Sequence, residues 1–427
     1  LCAPAAGVLL AISPACGQSF TVAREGDHWW LRDPKGQKFL CKAVNCVLFK
    51  DGMIPAGFPG YDVTRAPGFD AKAWGRTTAA RIQGWGFNSV GSWSADEAYE
   101  SGLPFAVCLH MVGGWDFMKL FEPAYEEELR GKRAEAVKRW ASSPNLIGWF
   151  TDNELPWFGE NGWSTGGQTL LQRFSSQPEG SAGRTAAEDF RKAFVPKPGG
   201  PSVDDAFAGA VARRYGEVTS RVLKTLDSRH MNLGVRFAGD APDPVIEALG
   251  PFCDVVSVNV YRKNGRIPKR SLARFSVLSG NRPVMITEWS YRAMENRSGD
   301  KNEKGADVTV PTQADRAKKL RTYLEDLMSL PFVVGYHWFM YFDQSPGGRT
   351  LDGENSNYGL VDIHDREYTE VTSALKEMNA KAEILHGNSQ PYAGPLTGTA
   401  VSPYSPAALS RDTLVLGPGA PPAAAPG

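Results

Sequence analysis

The sequence predicts an α/β fold in which eight parallel strands and their helices close into a (β/α)8 TIM barrel. Strand-like and helix-like runs alternate along most of the 427 residues, an order that is typical of a parallel sheet. Eight strand-like runs can be distinguished, which is the number that this barrel needs. Two of them have a glutamate at or next to their last residue, Glu154 and Glu288, and the active residues of such barrels gather where the strands end.

A short N-terminal β-hairpin is predicted before the barrel, with residues 29–32 and 38–40 on either side of a turn at residues 33–36. The predicted barrel strands follow in chain order at residues 39–47, 89–93, 104–111, 146–154, 231–237, 254–261, 284–289 and 333–342. Helices are predicted between them at residues 71–85, 122–142, 203–227 and 313–329. We therefore expect residues 19–386 to form one catalytic barrel domain.

The two ends of the chain differ in composition from this central part. Residues 1–18 are apolar and rich in small side chains, which predicts the remnant of a secretory signal peptide and a secreted or periplasmic protein. A lipoprotein signal with Cys16 as the lipidated residue is the alternative. Residues 387–427 are dominated by Pro, Ala, Gly and Ser and are predicted to be a disordered tail, because they offer little apolar surface to a core.

The charge balance and the cysteines exclude several classes of partner. Lys+Arg and Asp+Glu number 47 each, so there is no electrostatic reason to expect nucleic acid or an acidic membrane surface. No stretch is apolar for long enough to predict a membrane span. The six cysteines show neither a CxxC pair nor zinc-like spacing with histidine, so neither a metal nor another cofactor is predicted.

The two strand-end glutamates suggest the chemistry. Glycoside hydrolysis needs one carboxyl group that gives a proton to the leaving oxygen and a second that attacks or stabilises an oxocarbenium ion. Glu154 is the last residue of the fourth predicted strand and Glu288 the next-to-last of the seventh, and the carboxyl ends of barrel strands meet at one face. Either residue alone can be a solvated cap or half of an ion pair, but the two together favour a sugar-cleaving enzyme.

Other polar and aromatic residues near the predicted strand ends are expected to contact a polysaccharide or oligosaccharide substrate. They are Asn153, His110, Arg236, Asn259, Tyr261, Trp289, His337 and Trp338. Tyr261 and Arg236 are also candidates for orienting the two glutamates or keeping one ionised.

Tryptophans are also expected at this face, because the C–H faces of sugar rings stack on flat aromatic rings. Six of the 12 tryptophans are predicted at the same rim, namely Trp93, Trp115, Trp157, Trp163, Trp289 and Trp338. Any one of them can instead be a core residue.

A competing motif lies at Gly162-Trp163-Ser164-Thr165-Gly166, which matches the G-x-S-x-G pattern of serine esterases. That chemistry needs a strand immediately before the serine and a helix immediately after it. The flanking residues have the composition of a loop, so the esterase hypothesis is the weaker one.

These residues together resemble the clan A glycoside hydrolases. The Asn153-Glu154 pair is like that clan's acid/base motif, Glu288 is like its nucleophile and Trp338 is like its substrate-stacking tryptophan. Within the clan, the stretches 310–316, 334–339 and 352–359 look most like the family 50 β-agarases.

The resemblance implies a retaining two-glutamate β-glycosidase without a cofactor. Glu154 would be the general acid/base and Glu288 the nucleophile, while Asn153 would bind the hydroxyl next to the attacked carbon. A neutral, agarose-like polysaccharide is the implied substrate. The nucleophile context Thr287-Glu288-Trp289-Ser290 departs from the Glu-Phe-His expected in agarases. A β-glucan therefore stays open as substrate, and a non-catalytic carbohydrate-binding barrel stays open as the alternative from another class.

Overall fold

The structure, a computed structural model, describes residues 19–157 and 167–396. Cys16 and the predicted signal remnant lie outside the described residues, as do residues 397–427. The G-x-S-x-G motif at residues 162–166 falls entirely in the gap between the two described ranges.

The chain begins with a small antiparallel sheet of three strands, β1 (Thr21–Glu25), β2 (His28–Arg32) and β3 (Lys38–Phe39). β2 and β3 form the predicted hairpin, and β1 adds a strand that was not predicted. The Asp33 carboxylate accepts hydrogen bonds from the backbone N–H groups of Lys35 and Gln37, at 2.9 and 2.8 Å. These bonds explain why this sequence turns here, because Asp side chains readily bond to the backbone two residues ahead.

The main sheet has nine parallel strands in the order β8-β7-β6-β5-β4-β14-β11-β10-β9. These strands are β4 (Cys41–Val44), β5 (Ser89–Val90), β6 (Phe105–Cys108), β7 (Leu146–Phe150), β8 (Met231–Asn232), β9 (Phe237–Ala238), β10 (Val256–Asn259), β11 (Val284–Trp289) and β14 (Val333–Trp338). A separate parallel pair joins β12 (Arg292–Ala293) to β13 (Thr309–Val310). Every strand of the main sheet overlaps one of the eight predicted strands, and most are shorter than predicted; β9 extends one residue beyond the predicted fifth strand, to Ala238.

The two edges of the main sheet are joined by consecutive residues of the chain. β8 and β9 lie at opposite ends of the strand order, yet only residues 233–236 separate them. Within this link, the Gly234 carbonyl accepts a hydrogen bond from Thr151 N at 2.9 Å on the β7 side. On the β10 side, Asp254 N donates to Asn232 O at 2.8 Å. The sheet is therefore curled, and the predicted fifth strand is interrupted at Gly234, whose φ of +86° breaks the extended backbone.

Ten α-helices lie in the described part of the chain. They are α1 (Ala71–Gly84), α2 (Asp96–Tyr99), α3 (Tyr125–Trp140), α4 (Leu170–Ser175), α5 (Ala182–Ala193), α6 (Val203–Leu226), α7 (Asp243–Leu249), α8 (Lys269–Leu278), α9 (Gln313–Met328) and α10 (Thr369–Gly387). The four predicted helices correspond to α1, α3, α6 and α9. Among the described residues, no helix has the length and apolar character needed to cross a membrane.

The core has an inner and an outer layer. The inner layer lies within the curled sheet and contains small and apolar side chains such as Ala43, Ile147 and Met285, together with Phe20 and Leu31 of the N-terminal segment. The outer layer packs between the sheet and the helices. Trp29 N donates to Pro331 O at 2.7 Å, just before β14 begins. The N-terminal sheet therefore covers the amino ends of the strands, and the carboxyl ends are left for a site.

Candidate active site

The carboxyl ends of the strands carry an unusual backbone feature. Five non-glycine residues have positive φ angles, namely Cys46 (55°), Trp93 (60°), His110 (48°), Glu154 (52°) and Arg236 (51°). Four of them follow β4, β5, β6 and β7, and Arg236 directly precedes β9. This conformation costs an L-residue roughly 1–2 kcal/mol, and such strain concentrates at functional sites. The feature marks the same end of the sheet as the two predicted glutamates.

Glu288 is 2% exposed and both its carboxylate oxygens accept hydrogen bonds. Arg236 Nη2 donates to Oε1 at 2.7 Å, and the Tyr261 hydroxyl donates to Oε2 at 2.9 Å. The first bond joins two charged groups and is of the stronger kind. The carboxylate is consequently held in one orientation.

A shift in strand pairing explains how Glu288 reaches this position. The register between β11 and β14 shifts between Ile286 and Trp289, and the register between β10 and β11 shifts between Val258 and Asn259. Such irregularities re-aim side chains next to active sites. They interrupt the strict inward and outward alternation of the strand at the residue that carries the carboxylate.

Arg236 is fully buried and held from several sides. Its Nε donates to Asn153 Oδ1 at 2.8 Å, and its Nη2 also donates to the Thr287 carbonyl at 3.1 Å. The guanidinium carbon lies 4.4 Å from the centre of the Trp93 ring and 5.0 Å from that of Phe150. Arg236 thus connects the two glutamate-bearing segments, and its aromatic neighbours fix the plane of the guanidinium group.

Glu154 is half-buried and accepts a hydrogen bond from Asn259 Nδ2 at 2.9 Å. The same nitrogen lies 3.1 Å from Asn153 Oδ1. Burial, followed by the negative charge of Glu288, raises the pKa of Glu154 to about 8, although the bond from Asn259 and the charge of Arg236 act in the opposite direction. At neutral pH this carboxyl group is therefore protonated and can give up a proton.

Asn259 is oriented by Thr287, whose hydroxyl donates to Asn259 Oδ1 at 2.8 Å. This bond turns the amide nitrogen of Asn259 towards Asn153 and Glu154. Asn153 then accepts at Oδ1 from both Arg236 and Asn259. The structure therefore brings Asn153, Glu154, Arg236, Asn259, Tyr261 and Glu288 into one hydrogen-bonded network.

His110 lies beside this network. Its Nε2 accepts a hydrogen bond from Trp93 Nε1 at 2.8 Å, which places the ring proton of the neutral imidazole on Nδ1. Burial, then the positive charges of Arg236 and Arg133, lower the pKa of His110 to about 4. At neutral pH His110 is a neutral side chain that can donate from Nδ1.

Trp289 and Trp338 do not lie with the glutamates. Both are fully buried and belong to the outer core layer. Trp289 stacks on Tyr323 of α9 with ring centres 4.6 Å apart, and Trp338 Nε1 donates to the Tyr358 carbonyl at 3.0 Å. Their placement does not support the expectation that they contact substrate. The physical reason is that both side chains point away from the inner face, towards the helices.

His337 precedes Trp338 in β14, and its side chain points to the opposite face of that strand. It is also fully buried. Its Nε2 lies 3.4 Å from the Cys41 sulfur, and its ring packs edge-on against Phe150 at 5.7 Å. Burial, then the charge of Arg236, lowers the pKa of His337 to about 3. A substrate contact is not supported for this residue either, since it fills the interior of the curled sheet.

Six tryptophans were predicted at the rim of the site. Among those whose side chains the structure describes, Trp93 is the one that lies at the site. Trp93 is half-exposed and packs on Arg236. Trp157 is buried against Phe117 and Tyr215, with ring centres 5.1 and 5.5 Å away. The side chain of Trp115 and the whole of Trp163 lie outside the described residues.

A second polar cluster, which was not predicted, adjoins the site in the loop after β14. The Tyr358 ring lies 6.2 Å from that of Tyr261, and its hydroxyl donates to Glu354 Oε1 at 3.1 Å. Arg349 Nη2 lies 2.8 Å from Glu354 Oε2. Glu354 and Tyr358 fall in the 352–359 stretch that carries the family resemblance. That resemblance was the one feature of the sequence that could have pointed to this cluster.

Within the described residues, a metal ion would need a group of side chains that could bind it. No group of three or more His, Cys, Asp or Glu side chains is arranged there to hold a metal ion. The donors around Glu154 and Glu288 are instead amide, hydroxyl and guanidinium groups.

Comparison with known proteins gives matches to agarases. No protein-family model matches the chain. Beta-agarase A of Vibrio sp. (strain JT0107) is 27% identical over 362 residues, which cover 72% of this chain and 36% of the relative. Beta-agarase B of the same strain is 25% identical over 358 residues, covering 74% and 37%. The chain thus spans little more than a third of the length of these relatives.

The fold is also shared with a solved agarase structure. The agarase AgWH50C superposes with a TM-score of 0.71 at 23% identity, covering 87% of this chain and 64% of that one. The likeness in sequence to the Vibrio enzymes and the likeness in fold to AgWH50C agree with each other. They confirm the resemblance seen in the motifs: this chain is similar in sequence and in fold to the family 50 β-agarases.

Proposed function

We propose that this protein is a retaining glycoside hydrolase that cleaves a neutral β-linked polysaccharide, with agarose as the substrate. The observation that carries the proposal is the contrast between the two glutamates in one network. Glu288 is held by Arg236 and Tyr261, whereas the pKa of Glu154 is raised to about 8. Two carboxyl groups in one network, one held by a guanidinium and a hydroxyl group and the other with a raised pKa, suit the nucleophile and acid/base roles.

In the first step, Glu154 donates its proton to the glycosidic oxygen while Glu288 attacks the anomeric carbon. The leaving sugar departs with the proton, and a covalent glycosyl-enzyme remains on Glu288. In the second step, ionised Glu154 takes a proton from a water molecule, whose oxygen attacks the anomeric carbon and releases Glu288. The raised pKa suits Glu154 to both steps, because it can be protonated in the first and regain a proton in the second.

Asn153, His110 and Asn259 are proposed as substrate contacts. Asn153 accepts at Oδ1 from Arg236 and Asn259, so its amide nitrogen is turned away from them and can donate to the sugar hydroxyl next to the attacked carbon. Neutral His110 can donate from Nδ1. Such oriented donors stabilise a transition state without reorganisation.

The agarose proposal rests on the named activities of the relatives. We further propose that the curled sheet is a closed (β/α)8 barrel, with residues 231–238 as its interrupted fifth strand, and that the enzyme acts outside the cytoplasm. Residues 1–18 and 387–427 are proposed to lie outside the catalytic domain on composition alone.

The direct test is to incubate the purified protein with agarose, mixed-linkage β-glucan, alginate and pectin, and to follow the first products by proton NMR. We expect cleavage of agarose and a β-configured reducing end before mutarotation. An α-configured first product would contradict retention. Cleavage of alginate or pectin alone would contradict the choice of a neutral substrate.

Replacing Tyr261 with phenylalanine tests the orientation of Glu288. The variant keeps the ring and removes the hydroxyl that donates to Glu288 Oε2. A hydrogen bond to a charged group contributes about 1.5–3 kcal/mol, so we expect kcat to fall roughly 10- to 100-fold with little change in melting temperature. Tyr323→Phe is the matched control, because its buried hydroxyl donates to the Val260 carbonyl rather than to a glutamate. Equal losses of kcat in both variants would contradict a specific role for Tyr261.

A further inference from the structure

The loop after β4 presents an exposed aromatic ring on the side of the catalytic residues. Phe58 is 54% exposed and is the one aromatic residue among the exposed large apolar side chains in the described ranges. The others are Val195, Val277, Met294 and Ile384. Single exposed apolar residues are common on protein surfaces, so the exposure of Phe58 gains meaning only from its position and support.

The Phe58 loop, residues 50–62, is anchored at both its ends and its tip. Asp51 N donates to Tyr61 O at 2.8 Å and Val63 N donates to Phe49 O at 3.0 Å, which closes the base of the loop. Thr350 N also donates to Met53 O at 2.9 Å. The Ser345 hydroxyl donates to Pro59 O at 2.7 Å, next to Phe58 itself. The ring is therefore presented on a fixed backbone, which lowers the entropy cost of using it for binding.

Gly347 supports the ring from the loop after β14. A Cβ atom at this position would lie 2.3 Å from Phe58 Cγ and 2.5 Å from Cδ1, closer than any real contact. Glycine therefore lets the ring rest directly against the backbone of the neighbouring loop. We call the Phe58 ring and the Gly347 backbone on which it rests the Phe58 platform, because the ring is held in place by both loops.

The platform is connected to the catalytic centre by short stretches of chain. Gly347 is two residues from Arg349, which pairs with Glu354, and Glu354 accepts from Tyr358 beside Tyr261. On the other loop, burial raises the pKa of the Cys46 thiol, and the charges of Glu288, Arg349 and Asp51 also act on it. Phe58 therefore lies on the same face as the glutamates, on a loop that contacts the loop carrying this polar cluster.

We propose that Phe58 forms an outer sugar-binding subsite, in which its ring stacks on the C–H face of a neutral pyranose unit several positions from the bond that is cleaved. The proposal rests on the proposed function and adds to it a contact with the polymer. A flat apolar surface fixed at the rim suits a neutral sugar ring, because such a ring has an apolar face and needs no oppositely charged side chain as a partner. Longer chains would then bind more tightly than short ones.

The test compares substrate lengths in Phe58→Ala. We expect KM for agarose to rise about tenfold, which corresponds to about 1.4 kcal/mol of lost binding free energy. The kcat/KM for the shortest agarose oligosaccharide that is cleaved should stay within about twofold, because that substrate ends before the platform. Phe58→Trp should keep the KM of the unmodified protein, and Gly347→Ala should raise it as Phe58→Ala does.

Val277→Ala is the control, since it removes an exposed apolar side chain of α8 that is remote in sequence from both loops. Electrophoresis through a gel that contains agarose gives a second readout, in which Phe58→Ala should be retarded less than the unmodified protein. An equal effect on all substrate lengths would overturn the subsite, and so would no effect on KM and retardation. An unmodified protein that cleaves no agarose would instead refute the proposed function, and the gel experiment would still decide whether Phe58 binds the polymer.

Discussion

Replacing Glu288 with alanine should reduce kcat by roughly 10⁵- to 10⁶-fold, the loss seen when a nucleophile is removed from an active site. The covalent step has no attacking atom in this variant, while Glu154, Asn153 and Asn259 remain. Sodium azide should restore part of the activity, because the small anion can occupy the vacated volume next to Arg236. Since azide would then attack from the side that Glu288 occupied, the product should be a glycosyl azide of inverted configuration.

Comparing the melting temperatures of Glu288→Ala and Glu288→Gln distinguishes the loss of the nucleophile from the loss of the ion pair with Arg236. Arg236 is fully buried, and removing its carboxylate partner leaves an unpaired charge that costs about 3–5 kcal/mol. Glu288→Gln keeps an oxygen that can accept from Arg236 Nη2, so it should lose turnover as completely but melt at a higher temperature than Glu288→Ala. Substantial turnover in the glutamine variant, or azide product of retained configuration in the alanine variant, would show that Glu288 is not the nucleophile.

The strands of the main sheet could be predicted because each is a short apolar run bounded by polar or turn-forming residues. Met231–Ala238 shows the limit of that argument. Its composition predicts one continuous strand, but Gly234 and Arg236 adopt positive φ angles and divide it into β8 and β9. A pattern of apolar residues does not report such a break. The break matters, because Arg236 bonds from this segment to both Asn153 and Glu288.

The direction of the side chains was the harder part of the site to predict. Glu154 and Glu288 could be singled out from the sequence because a carboxylate after a buried strand is conspicuous in any register. Trp289 and Trp338 were placed at the rim by the same nearness to a strand end, yet they pack under α9 and against the Tyr358 carbonyl. Their direction depends on the alternation along the strand and on the shift in pairing between Ile286 and Trp289. That shift arises from contacts with neighbouring strands, which one sequence does not reveal.

Replacing Glu154 with alanine should have an effect that depends on the leaving group. Substrates with a sugar leaving group need protonation, so their kcat/KM should fall roughly 10²- to 10⁴-fold, the usual contribution of a general acid. An activated aryl glycoside leaves without a proton, so its glycosyl-enzyme should form readily and then accumulate. Azide should react with that intermediate and give a glycosyl azide of retained configuration, opposite to the product from Glu288→Ala. The same azide anomer from both variants would refute the assignment of the two roles.

The pH dependence of the unmodified enzyme provides the second test of Glu154. Burial and the neighbouring charge of Glu288 raise the pKa of Glu154 to about 8, so the acid is present below this pH and is lost as the pH rises through it. We expect kcat/KM to decline above about pH 8, by tenfold for each further unit. In azide-rescued Glu288→Ala this decline should begin at lower pH, because the charge of Glu288 no longer raises the pKa of Glu154, while burial, the largest cause, remains. A decline that stays at the same pH in both proteins would show that another group, and not Glu154, supplies the proton.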